Sequence, residues 1–255
     1  MAEVEIFKLY ALVLVRFSGL MISAPVLGSG NFPTTAKVGL TALAALIITP
    51  AVGVLETPLP EGPLAFGLMA LGEVLIGLMI GFVMSIVFSS IQVAGQIMDM
   101  QSGFGMMNVF NPAMETQFPI FGFFLFILGV LYFLVMGFHH AAIRALAHTF
   151  EVIPPGGFAM NPGLLYEVSR WGRDMFIDGL IISAPIAASM LLAYITMGLL
   201  GRVVPQIHLF VVGFPITIAT GLFVTAFIIG IYLRVLDGML HRMMGNVDVL
   251  IRGMG

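Results

Sequence analysis

Residues able to do chemistry are few in this 255-residue chain, which carries 10 Lys and Arg, 13 Asp and Glu, 5 His and no Cys. Without Cys there is no thiolate metal site, disulfide or thiol nucleophile. His140, Arg144 and His148 recur at helical spacing beside His139. A zinc protease would need its glutamate base directly after the first histidine, where this chain has Ala141, and a cation separates the two histidines. Metal binding is therefore disfavoured. Ser18 has no base near it in sequence, and nowhere do a nucleophile, a base and an orienting group occur together. No Walker loop, nucleophile elbow or dinucleotide turn is present. The reading is of a protein that is not an enzyme and needs no cofactor.

What remains is three charges set inside apolar runs: Arg16, Glu73 and Asp178. A charge facing lipid is costly, so each should face protein or water and find a partner. Arg16 and Asp178 could pair with each other. Glu73 suits an interhelical partner better than a proton relay.

The elements that must position these charges follow from composition. Hydrophobic residues make up 60% of the chain and charged residues 9%, against about 25% charged in soluble domains. So small a polar complement cannot cover a soluble globule. Cytosolic enzymes, nucleic-acid binders and disordered tails are disfavoured on that ground, while the net charge of −3 names no partner. A spanning helix needs about 20 mostly apolar residues. About six runs qualify, at 9–27, 38–55, 64–98, 118–138, 175–201 and 203–233. Backbone groups in lipid must be paired internally, and no ten-residue alternation suggests a barrel. The fold class is an all-α integral membrane protein. Breaks fall where Pro and Gly cluster, at Pro25 to Pro33, Pro50 to Pro63, Gly103 to Pro119 and Ile153 to Pro162. Glu3, Glu5 and Arg16 make the N-terminal stretch unlike a cleavable signal. Arginines at 144, 170 and 173 and at 234, 242 and 252 agree with a shared cytoplasmic side, although Arg202 runs against it.

Two features could serve assembly or gating. Glu73, Gly77, Gly81, Ser85 and Ser89 stand at intervals of four, along one slanted helical ridge where small residues admit another backbone. The second is the stretch 89–117, which mixes Gln92, Gln96, Asp99 and Gln101 with five of the 19 Met and places Gly103 and Gly105 around Phe104. Irregular backbone at membrane depth is tolerated beside protein or a watery cavity. Met and Phe could seal such an aperture as a plug, although the residues taken alone favour an ordinary loop outside the membrane. An internal echo, GLMISAP at 19–25 and GLIISAP at 179–185, ends each time at a proline. Pro25 and Pro185 could bend each helix or mark a half-helix junction.

The order of motifs resembles the FliR/SctT family of type III secretion export-gate proteins. The matching pieces are Arg16-Phe17-Ser18-Gly19, Ala24-Pro25, Pro33, Lys37-Val38-Gly39-Leu40, Pro50 and Glu73 to Gly81. They continue with AGQIMDMQSGFGMMNVFNP at 94–112, Gly137-Phe138-His139-His140 and APIAASMLLAYITMGLLGRVVPQIHLFVVGFP at 184–215. The resemblance covers nearly the whole chain, and the 94–112 stretch leans toward the flagellar branch.

It implies a structural subunit in the bacterial inner membrane at the flagellar basal body. Such a subunit would join FliP-like and FliQ-like proteins, with an FlhB-like protein, in a hetero-oligomeric helical ring of kinked hairpins, much of it above the membrane plane. Unfolded flagellar subunits would pass through that ring. Residues 1–150 are then expected as a FliP-like portion and 165–255 as a FliQ-like one. The resemblance further implies a pore plug over about Gly103 to Pro119, led by Gly103, Phe104, Gly105, Met106, Met107 and Phe110, and subunit contacts along Glu73, Gly77, Gly81, Ser85 and Ser89. A rival reading is a secondary transporter working through Glu73, Asp178 and Arg16 around helices broken at Pro25 and Pro185.

Overall fold

A computed structural model describes residues 2–30, 32–53, 59–104, 119–204 and 209–255. Among them there is no strand, and the helices are α1 (Ala2–Ser23), α2 (Thr34–Val52), α3 (Pro63–Ser102), α4 (Ile120–Val135), α5 (Phe138–Val152), α6 (Gly163–Val203) and α7 (Leu209–Met254). Five of these are long and apolar enough to cross a bilayer, and α4 with α5 makes a bent pair turning by 64°. The chain is an all-α integral membrane protein.

Apolar runs located the helices but not their ends. The expected run at 203–233 is the front of a helix that continues to Met254, and 175–201 lies inside one that begins at Gly163. The added turns are charged, with Glu167 and Arg170 paired at 2.7 Å and Asp248 and Arg252 at 2.9 Å. A hydropathy count stops where charge begins. The backbone hydrogen-bond ladder stops only where Pro or Gly interrupts it.

The two copies of the echo meet different fates. The first closes α1, after which Gly28 N–H bonds to the Ala24 carbonyl at 2.7 Å in a turn. Pro185 lies inside the continuous α6 instead of at a junction. Gly28 and Gly30 follow Pro25, whereas Ile186, Ala187 and Ala188 follow Pro185, and only the first context lets the chain leave the helix.

Two compact units divide the chain. The first comprises Met1–Val87, Leu134–Trp171 and Leu240–Gly255, and the second Phe88–Phe133 and Gly172–Met239. They interleave in sequence.

In the first unit α1 lies along α2, tied by Tyr10 Oη to the Ala42 carbonyl at 3.4 Å. Leu12, Phe17, Leu20, Ile76, Ile80, Leu146, Trp171 and Leu250 are buried there. The stretch after α5 bonds backbone to backbone with the end of α7, Ala159 to Met254 and Asn161 to Gly253, each at 3.1 Å. The second unit buries Ile91, Met98, Phe121, Phe133, Ile186, Met190 and Leu236. Phe88 meets Phe126 and Phe133 edge to face. Tyr232 donates to the Leu125 carbonyl at 2.8 Å, and Tyr132 to Asp237 at 2.8 Å. An amphipathic tyrosine inside an apolar bundle needs such a partner for its hydroxyl.

Candidate functional site

Among the described residues, each unit holds a buried carboxylate whose partners are far apart in sequence. In the first, α1 delivers Arg16 at full burial. Its Nε donates to Glu73 Oε2 at 2.5 Å, Nη1 to Thr149 Oγ1 at 2.8 Å and Nη2 to the Ile153 carbonyl at 3.1 Å. The Phe150 ring covers the guanidinium face, 3.9 Å from ring centroid to Cζ, a cation–π contact that strengthens once water is excluded. Glu73, also at full burial, accepts the Gly156 N–H on its second oxygen at 2.9 Å. Arginine suits this role because its rigid fork stays charged and aims several donors at once.

This centre joins α1, α3, α5 and the turn after α5. Small residues make the approach possible. A Cβ at Gly19 would stand 2.5 Å from the Val74 carbonyl oxygen, and one at Gly77 would overlap the Arg16 carbonyl. Both oxygens of Glu73 and all three nitrogens of Arg16 are engaged within the chain, so the arrangement is a structural lock.

The second centre is Asp99, near the end of α3. Its two oxygens accept the N–H groups of Phe121 at 3.0 Å and Gly122 at 3.1 Å. These belong to the first turn of α4, where amides have no intrahelical acceptor. A carboxylate there supplies both the missing hydrogen bonds and a charge that opposes the helix dipole. The backbones of α3 and α4 touch beside it, since a Cβ at Gly95 would overlap Gly122 Cα. Tyr194 Oη donates to the Gln101 carbonyl at 2.6 Å. Gly103 turns the chain out of α3 with φ +88°, and a Cβ there would lie 3.0 Å from the Phe214 ring. Phe104 then sets its ring edge to face against Phe121, centroids 5.5 Å apart.

The profile of one protein family, described as bacterial export proteins, family 1, matches residues 7–243. The chain belongs to that family. Its relatives include the flagellar biosynthetic protein FliR of Escherichia coli K12, 30% identical over 216 residues that cover 84% of this chain and 82% of the relative. FliR of Bacillus subtilis 168 is 30% identical over 219 residues, 85% and 84% of the two chains. FliR of Caulobacter vibrioides is 29% identical over 219 residues, 85% and 87%.

Within this export-family chain the structure distributes the expected site residues unevenly. Glu73, Gly77 and Gly81 of the α3 ridge face α1 of the same chain. Gly81 meets Ser23 and Ala24 there. Ser85 and Ser89 are half-buried, and Ser85 Oγ bonds to the Phe82 carbonyl of its own helix at 2.7 Å. Arg16 pairs with Glu73, so the pairing with Asp178 raised from sequence is replaced. Asp178 is half-buried on α6. Of the expected plug, Gly103 is buried and Phe104 half-buried, while Gly105, Met106, Met107 and Phe110 lie outside the described residues. Sequence reasoning missed Thr149, Phe150 and Gly156 as partners of the ion pair and Asp99 as the cap of α4. Asp99 caps amides 22 and 23 residues away, so no local capping pattern could have marked it.

Proposed function

We propose that the chain is a structural subunit of the flagellar protein-export gate, seated in the bacterial cell membrane at the basal body. It assembles with FliP-like and FliQ-like proteins, meets an FlhB-like protein, and helps form the passage for unfolded flagellar subunits. Residues 1–150 take the FliP-like place in that ring and residues 165–255 the FliQ-like place.

The observation that carries this reading, beside the family, is the mismatch between helix length and burial. At 1.5 Å per residue, helices of 40, 41 and 46 residues run to about 60–69 Å, roughly twice the 30 Å of a bilayer core. In the most apolar windows of α6 and α7 only 22% of residues are buried within the chain. The apolar parts alone, such as 64–98 in α3 and 175–201 in α6, still exceed a bilayer core, and the excess needs covering by other protein. Neighbouring subunits supply that cover.

The segment from Gly103 to Pro119, including Gly105, Met106, Met107 and Phe110, acts as the plug. Support comes from its two anchored ends: Gly103 and Phe104 pack on α7 and α4, and Asp99 holds the start of α4. A secondary transporter built on Arg16 and Glu73 finds less support, because both side chains are fully buried and each is already held by partners within the chain.

Deleting Gly103 to Met107 tests the plug. Cells carrying the assembled complex, verified by co-purification with the FliP-like and FliQ-like proteins, should leak ions and small solutes. Unchanged leakage in a correctly assembled complex refutes the plug. Full motility after deletion of the gene refutes the export role itself.

A further inference from the structure

The first unit contains a feature that the export reading does not use. Between α1 and α2 runs a groove of about 390 Å³, lined by Leu14, Met21, Ile22, Val38 and Ala42 among others. That size falls within the range of pockets that take small ligands. Its walls also include Ser18 and Thr41, but both hydroxyls are turned away from it chemically. Ser18 Oγ donates to the Val15 carbonyl at 2.7 Å and Thr41 Oγ1 to the Lys37 carbonyl at 2.7 Å. Apart from Thr34 at the start of α2, the interior therefore presents hydrocarbon.

Lys37 is part of the lining. Its Nζ donates to the Gly28 carbonyl at 2.9 Å, one of the three bonds an ammonium can make. Among the described residues it has no carboxylate partner. The start of α2 stands beside it, with Pro33 at the cap position and, among the described residues, no side-chain cap. Both features are positive, and an ammonium with donors to spare beside the first amides of a helix favours an anion. The occupant must then be apolar along most of its length and anionic at one end.

α2 also has just 17% of its spanning window buried in the chain, and Ile22 and Val38 on the groove rim are each 69% exposed. At 19 residues α2 does not overrun a bilayer core as α3, α6 and α7 do, so its open side is met by lipid. We propose that the α1–α2 groove binds an anionic phospholipid, one acyl chain along Met21, Ile22 and Ala42 and the phosphate on Lys37 and the α2 amides.

The test uses the full chain in nanodiscs holding equal parts phosphatidylglycerol and phosphatidylcholine, followed by detergent extraction and mass spectrometry of retained lipid. Wild type should keep phosphatidylglycerol with about a fivefold preference, the size expected for one lysine near an anionic headgroup. Lys37→Gln should abolish the preference while helicity and elution volume stay unchanged. Ala42→Phe, which fills the groove and leaves Lys37 in place, should reduce total retained lipid. Equal retention of both lipids by wild type overturns the proposal, as does an unchanged preference in Lys37→Gln. Loss of preference in Lys37→Gln together with full retention in Ala42→Phe also overturns it, since it would describe a headgroup patch without a tail site. Displacement of the lipid by glycerophosphate alone would likewise refute the acyl-chain contribution.

Discussion

Replacing Glu73 with Ala removes the carboxylate that neutralises Arg16 and leaves the guanidinium buried with two neutral acceptors, Thr149 and the Ile153 carbonyl. Breaking a buried ion pair from one side costs about 3–5 kcal/mol. The Gly156 N–H loses its acceptor as well, which adds about 1 kcal/mol or more. The expected loss is about 4–6 kcal/mol, a large share of the 5–15 kcal/mol that holds an ordinary domain together. Glu73→Gln keeps one acceptor and should fall between Glu73→Ala and wild type. Thr149→Val removes one hydrogen bond to a charged group and should cost about 1.5–3 kcal/mol.

The double variant Arg16→Met, Glu73→Leu removes both charges together. Replacing a buried pair by packed apolar side chains is often near neutral, so the double variant should be milder than Glu73→Ala alone. Denaturant unfolding in detergent, followed by fluorescence, reads all four. The chain's single tryptophan, Trp171, is 1% exposed and lies in the same unit. A loss below about 1 kcal/mol for Glu73→Ala, the value of an exposed pair, would refute the lock. So would a double variant at least as damaging as the single one.

Two further outcomes follow from the second unit. Gly95→Leu forces a side chain into the Gly122 backbone, which cannot swing aside, and should lower the melting temperature in detergent by about 5 °C or more; a melting point equal to wild type would show that α3 and α4 are not in backbone contact. Asp99→Ala orphans the amides of Phe121 and Gly122, at a cost of about 1–2 kcal/mol for a lost cap, and should speed hydrogen exchange at those amides, with Asp99→Asn intermediate. Unchanged protection there would count against Asp99 as the cap of α4.

Much of the fold was legible in the chain because membrane insertion is decided locally. Apolar length and the placement of Pro and Gly fixed the class and located the helices, and the order of motifs pointed to the export family. Helix ends were less legible, since charged turns such as Glu167 to Arg173 continue a helix that hydropathy alone would end. The α3 ridge was readable as a packing surface from its spacing of four. Its partner was not, because Gly77 would accept any close backbone, and α1 of the same chain is the one that arrives.

By itself, then, the sequence determined that this is a helical membrane protein with a few charges that must find partners. The tertiary structure alone decided which partners they are. Arg16 reaches Glu73 across 57 positions and Thr149 across 133, and Asp99 caps α4 from the far side of the Gly103 to Pro119 segment. Burial energy states that an isolated charge must be paired, but it carries no address. The address comes from which backbones pack closely enough to bring donors and acceptors within hydrogen-bonding reach.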